Sequence, residues 1–213
     1  ERIGLVDIRD PRSPQPAGFI QLEGEPTSVA VHRHYALVAV NTSLGFTQPD
    51  GVLAVFDIRN PAQPKRVATL PMGGQPDSIA ISPRGRYAAV AIENERDEEA
   101  GDGGLPQMPA GFLVRLPVRD GAPDCAAMQR IDLAGLAEIA PEDPEPEFVD
   151  INEAGEIVVT LQENNHIAVI GADGTLAAHF PAGAVALENV DTRTDGRLDF
   201  TGKTDPIPRE PDG

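Results

Sequence analysis

Carboxylates and side-chain amides recur at one kind of place along this chain. An acid or amide, a proline and a short polar residue stand just ahead of a hydrophobic alternation in EPTSVAV from Glu25, QPDSIAIS from Gln75 and EPEFVDIN from Glu145, and the pattern returns in REPDG at 209–213. If each copy opens an equivalent strand, Glu25, Asp77, Glu147 and Asp212 gather at one end of the molecule. The polar segments that end the next strands join them there: Asn41, then Glu93-Asn94-Glu95, then Gln162-Glu163-Asn164-Asn165. Converging carboxylates repel one another unless they are protonated or bridged, and a set of oxygen donors suits calcium or magnesium. Asp77, Glu93, Glu95, Glu147, Glu163 and Asp212 are therefore the candidate ligands of a calcium or other divalent cation. Such an ion would neutralise an anionic substrate and activate water. His166 stands beside Glu163 and Asn164, where an imidazole could act as acid or base. Arg209 is one base among the rim acids, placed to pair with Glu210 or to orient an anionic group. The plainer alternative is that these polar residues cap strand ends and solvate a channel mouth, with ERDEE at 95–99 a mobile exposed loop. No D-x-[DN]-x-[DN]-G calcium loop is present.

Other chemistries have less behind them. There is no G-x-S-x-G elbow, and Ser28 and Ser78 beside the motif have no histidine at a matching position in their repeats. His32 and His34 resemble a metal pair, yet neighbouring copies put PRGR and EAGE there, which is the place of a turn. GDGG at 101–104 lacks the following helix that a phosphate cradle needs, and no organic cofactor is expected. The single cysteine, Cys125, excludes an internal disulfide framework and a Cys-based zinc cage. With 34 acids against 17 bases, a formal charge of −17 and no basic cluster in the sequence, nucleic acid and anionic membrane are poor partners. No apolar run approaches the roughly 18 residues that span a bilayer, so no membrane insertion is expected. The expected partners are a small-molecule ester or phosphoester, or a protein or glycan ligand. The expected location is periplasmic or extracellular, with any signal peptide absent from this chain.

The elements that must position these residues are short strands. The 21 glycines and 21 prolines disfavour long helices and mark turns. VAVH-RHY-ALVAV, IAIS-PRGRY-AAVAI and VDIN-EAGE-IVVTL each read as two apolar strands around a tight polar turn. A third strand follows in GVLAVFDIR, GFLVRLPVR and HIAVIGA, and a fourth in RVATLPM, AMQRIDL and LAAHFPA. Four antiparallel strands repeated about every 50 to 70 residues are the pattern of a β-propeller blade. The fold class is all-β: a propeller with about three complete four-stranded blades plus partial ones. One blade cannot bury both its faces, so the blades must stack around an axis. The expected divisions are a half blade at 1–22, blades at 25–72, 75–134 (with an insertion at 93–110) and 145–182, and a loop or hairpin at 183–213 that starts a further blade. On this reading the rest of a ring of roughly seven blades lies C-terminal to residue 213. A competing reading closes a small propeller by pairing 185–203 with the N-terminal half blade.

QPDSIAISPRGRYAAVAIENERDE, GGLPQMPAGFL, PEPEFVDINE, VTLQENNHIAVI and PREPDG resemble, in order, the bacterial phytase-like esterase family, itself related to LVIVD-type and YVTN-type propeller repeats. The resemblance covers most of residues 70–213, and the first 70 fit the generic repeat. It implies a propeller with ester or phosphoester hydrolase activity, and calcium that holds phosphates, as in propeller phytases. The acidic motif D-A-x-D-D-P-A of those phytases is not present; EDPEPEFVDIN and ENVDTRTDG carry acids in other arrangements.

Overall fold

A computed structural model describes residues 1–119 and 122–212. Strands β1 (Arg2–Asp7) and β2 (Gln15–Gln21) form an antiparallel pair. A four-stranded sheet comes next in the order β3 (Glu25–His32), β4 (Tyr35–Asn41), β5 (Gly51–Asp57) and β6 (Lys65–Pro71). The second sheet runs β7 (Pro76–Ile81), β8 (Tyr87–Ile92) and β9 (Phe112–Arg119), and its outer edge is shared by two short strands, β10 (Ala122–Pro123) and β11 (Gln129–Ile131), which both pair with β9. The third sheet is β12 (Pro146–Ile151), β13 (Ile157–Leu161), β14 (His166–Ile170) and β15 (Leu176–Pro181). Each sheet is a meander of antiparallel neighbours. That is the topology short strands and tight turns allow at least cost in loop length. Among the described residues no helix is long and apolar enough to cross a membrane.

Residues 184–208 fold on themselves. β16 (Ala184–Val185) pairs with β19 (Ile207–Pro208), and β17 (Glu188–Val190) pairs with β18 (Gly202–Lys203). The reading in which 185–203 pairs with the N-terminal half blade is thereby corrected: a local antiparallel excursion closes a shorter loop than a pairing with β1 or β2 would.

The middle strands show why the sheets stack. In β4, Leu37 and Ala39 enter one core while Val38 and Val40 enter the next; in β8, Ala88, Val90 and Ile92 face one way and Tyr87, Ala89 and Ala91 the other. Side chains alternate along a strand, so a run apolar at every position can be satisfied only where both faces are covered. One core lies between the first hairpin and the first sheet, a second between the first and second sheets, and a third between the second and third. Buried Leu, Ile and Val side chains of this kind each contribute about 1.5–3 kcal/mol, so these sandwiched layers dominate the stability. The outer strand β15 is exposed along its whole length.

Candidate functional site

The repeated proline motif has a common structural consequence. Proline donates no backbone hydrogen bond, and each of β3, β7 and β12 carries a bulge just after it, between Pro26 and Ser28, Pro76 and Ile79, and Pro146 and Val149. Backbone amides released from the ladder bond sideways to the preceding sheet. The N–H of Ile79 donates to Ser28 Oγ at 3.2 Å, and the N–H of Val149 donates to Ser78 Oγ at 3.3 Å. The two serines are ties between the first strands of successive sheets. Glycine completes the junction: a Cβ on Gly51 or Gly111, each just at the start of a third strand, would strike the ring of Pro76 or Pro146 in the following sheet.

The bulge also takes Asp77 and Glu147 out of the ladder, at the same end of adjacent first strands. Asp77 lies in the field of Glu147, Glu95 and Asp212, and burial together with these neighbours pushes its carboxyl up to about 6. Glu93 and Glu147 are close enough neighbours for each to shift the other's proton affinity. Burial is the first cause that raises both; Glu147 pushes Glu93 further, up to about 10, whereas Glu93 lowers the proton affinity of Glu147 and Asp212, Glu163 and Glu95 raise it. Five of the six sequence candidates, Asp77, Glu93, Glu95, Glu147 and Asp212, thus meet. Glu163 reaches the group through its effect on Glu147, but its carboxylate is committed to Arg96 at 2.9 Å. Thr27 is the true counterpart of Asp77 in the first sheet, its hydroxyl donating to the Pro76 carbonyl, and Glu25 stands on the other side of Pro26.

Arg96 is the residue that sequence reasoning missed. It lies in ERDEE, which is anchored at several points. The Arg96 backbone N–H and Nη1 donate to the two oxygens of Glu145 at 2.9 and 3.0 Å, and Nε donates to the Gly103 carbonyl. Glu145 is 1% exposed, and burial pushes its carboxyl up to about 7 against the pull of Arg96. The Gln107 backbone donates to Asp143 and the Gln107 side chain donates to the Asp97 carbonyl. These bonds sew the insertion after β8 to the segment before β12, and the two form a lobe beside the acidic group. Its cavity of about 480 Å³ is lined by Arg96, Leu105, Pro106, Ile139, Pro141 and Glu163, among others. The signal in the sequence was a lone arginine inside an acidic run.

Buried asparagines hold the rim. Asn94 Oδ1 accepts the Gln75 N–H, and Asn164 Oδ1 accepts the Glu145 N–H, each at 2.9 Å. Asn165 Nδ2 donates to the carbonyls of Gly183 and Arg209 at 2.7 Å, which brings the REPD segment to the mouth. Arg209 itself reaches the Ala182 carbonyl with its side chain. His166 is buried, its Nε2 hydrogen-bonded to His179 Nδ1 at 2.9 Å, and burial and then His179 lower its proton affinity. Its charged neighbours are His179 and Glu138 rather than the carboxyl cluster.

The donor set has the oxygen chemistry of a calcium site. Among the described residues no three His, Cys, Asp or Glu side chains stand together closely enough to hold a metal ion in this arrangement. The mouth is a cluster of carboxyls whose proton affinity is raised mainly by burial.

Stacked four-stranded antiparallel sheets with their first strands side by side define a β-propeller protein. The chain belongs to the Choice-of-anchor I domain family, whose profile matches residues 1–200. No curated protein matches it significantly. Among solved structures it is similar to a functionally unknown protein from Desulfotomaculum acetoxidans, at 13% identity and a TM-score of 0.50, over 82% of this chain and 48% of that one. It is also similar to hydrazine synthase from Kuenenia stuttgartiensis, at 12% identity and a TM-score of 0.50, over 72% of this chain and 48% of that one. The chain spans about half the length of these two structures.

Proposed function

We propose that the acidic mouth is the site of a hydrolase of the phytase-like esterase kind, acting on uncharged carboxylic esters through the Glu93 and Glu147 pair. The observation that carries this reading is the neighbouring position of those two half-buried carboxyl groups, with burial holding Glu93 protonated at neutral pH. A protonated carboxyl beside an ionised one puts an acid and a base together. Glu147, as carboxylate, takes a proton from water as its oxygen attacks the acyl carbon. Glu93, as acid, gives its proton to the departing alkoxide oxygen, leaving a carboxylic acid and an alcohol. The adjoining cavity of about 480 Å³ has the size of a small-molecule pocket and both apolar and charged walls, which suits the acyl or alcohol portion.

Charge decides between ester classes. Asp77, Glu95 and Asp212 crowd the pair, and an anionic phosphoester would meet their repulsion. A phosphoester substrate therefore requires a divalent cation that displaces the Glu93 proton, with Asp77, Glu93, Glu95, Glu147, Glu163 and Asp212 rearranged as its oxygen ligands. The test is turnover of an aryl acetate and an aryl phosphate, each with chelator and with added calcium. The expected result is acetate hydrolysis indifferent to chelator and lowered about 10²–10⁴-fold in Glu93→Gln and Glu147→Gln, the usual scale of an acid or base contribution. Calcium-dependent phosphate hydrolysis alone would replace this mechanism with the cation one. No turnover of either substrate leaves a binding module, a reading the lobe and its cavity favour.

A further inference from the structure

The end of the sheets opposite the acidic mouth holds a second cavity, of about 280 Å³, lined by Arg84, Arg86, Arg115, Tyr87, Glu153 and Ala172, among others. Arg84 and Arg86 come from the turn between β7 and β8, Glu153 from the turn between β12 and β13, and Ala172 from the turn after β14, so the cavity lies between the second and third sheets. Three arginines converging here stand against the rest of a chain with 34 acids and 17 bases. None of the three is in an ion pair among the described residues. The opposing charges are Glu153 in the wall and Asp173, which is held low mainly by the Thr175 hydroxyl and only lastly by Arg115.

Arg115 is held in position before any ligand arrives. Its guanidinium lies 4.5 Å over the Tyr87 ring, and its Nη2 donates to the Ala172 carbonyl at 2.6 Å. Tyr87 is fixed in turn by donating its hydroxyl to the Gly155 carbonyl. Arg115 Nε is buried with no hydrogen-bond partner, the one such side-chain atom among the described residues. A guanidinium fixed in the cavity wall beside two exposed arginines without carboxylate partners is a receptor for oxygen acceptors.

We propose that this cavity binds a small oxyanion, a phosphate or carboxylate group of a soluble molecule, on the guanidinium groups of Arg84, Arg86 and Arg115. The site is separate from the acidic mouth and holds whether or not the mouth is catalytic. Arg115 supplies a fixed positive charge in the wall, and the exposed Arg84 and Arg86 supply the donors that reach the ligand. The whole chain is titrated at low salt with inorganic phosphate and, separately, with citrate, monitored by calorimetry and by arginine side-chain NMR signals. Saturable binding is expected, weakened at least about tenfold in Arg84→Gln/Arg86→Gln and by raised salt, as charge-assisted contacts are. Those two side chains are exposed, so the double variant should fold normally; Glu153→Gln should tighten binding. Phosphate binding alone assigns a phosphorylated ligand, and citrate binding alone a polycarboxylate. No saturable response to either anion, or equal affinity in the double arginine variant, overturns the proposal.

Discussion

Asn164 accepts the backbone N–H of Glu145 on its Oδ1 at 2.9 Å while its Nδ2 donates to the carbonyls of Ile139, Ala140 and Asp143. One buried side chain thus terminates β13, positions the start of β12 and closes the loop before it. Asn94 does the same service for Gln75 and Ala110. Side-chain amides thus satisfy these backbone groups of the acidic rim.

Asn164→Ala should cost roughly 1–3 kcal/mol or more, since it strands one donor and up to three acceptors away from solvent. Urea unfolding with an unchanged slope measures it. A midpoint within error of the wild type would mean that the loop refills with water and that the asparagine is dispensable.

Replacing Arg96 by alanine removes the charged partner of the buried Glu145, and because burial already holds that carboxyl at about 7 it takes up a proton at neutral pH, so the loss should be about 1–3 kcal/mol, the scale of a stranded buried polar group. Adding Glu145→Gln should recover much of it, because a neutral amide tolerates the same pocket. Arg96→Lys should fall between, retaining the charge while losing the fork that bonds Glu145 and Glu163 together. Denaturant midpoints of the four proteins decide the matter.

The carboxyl cluster makes stability fall as pH rises. Asp77 at about 6 and the Glu93–Glu147 pair bind protons more tightly in the folded chain than in the unfolded one. The slope of stability against pH is therefore negative from about the unfolded carboxyl values, near 4 to 4.5, up through the folded ones. Glu93→Gln should remove most of this slope above pH 6. It should melt higher than the wild type at pH 8 and approach it near pH 4. Equal melting temperatures at both ends would show that Glu93 does not hold its proton more tightly in the folded chain.

Gly85→Ala should destabilise the turn between β7 and β8 for two reasons. The residue has φ of +62°, and the His32 ring of the preceding sheet occupies the space a Cβ would need. In a His32→Ala background the steric part should vanish, so the double variant should lose less than the sum of the single ones. Additive losses would confine the whole effect to backbone strain.

The stacked sheets were readable because their cause is local. An uninterrupted apolar run such as Tyr87–Ile92 between turn residues implies a strand covered on both sides, and repetition of that unit implies stacking. The shared position of Asp77 and Glu147 came from their common place after a proline. Glu25 misled because it precedes its proline, whereas the bulge displaces only residues C-terminal to that proline. His166 stands beside Glu163 and Asn164 in sequence, while β15 supplies its hydrogen-bond partner His179 from across the sheet.

Strand order, the two-faced cores and the gathering of acids at one rim were determined by sequence alone, since alternation, proline and glycine act over a few residues and repeat with the unit. Tertiary structure decided which carboxyls are buried beside one another, which of them Arg96 claims, and where three arginines meet. Those outcomes depend on distances between segments far apart in the chain, and electrostatic strength changes steeply with separation and burial, neither of which the order of residues encodes directly.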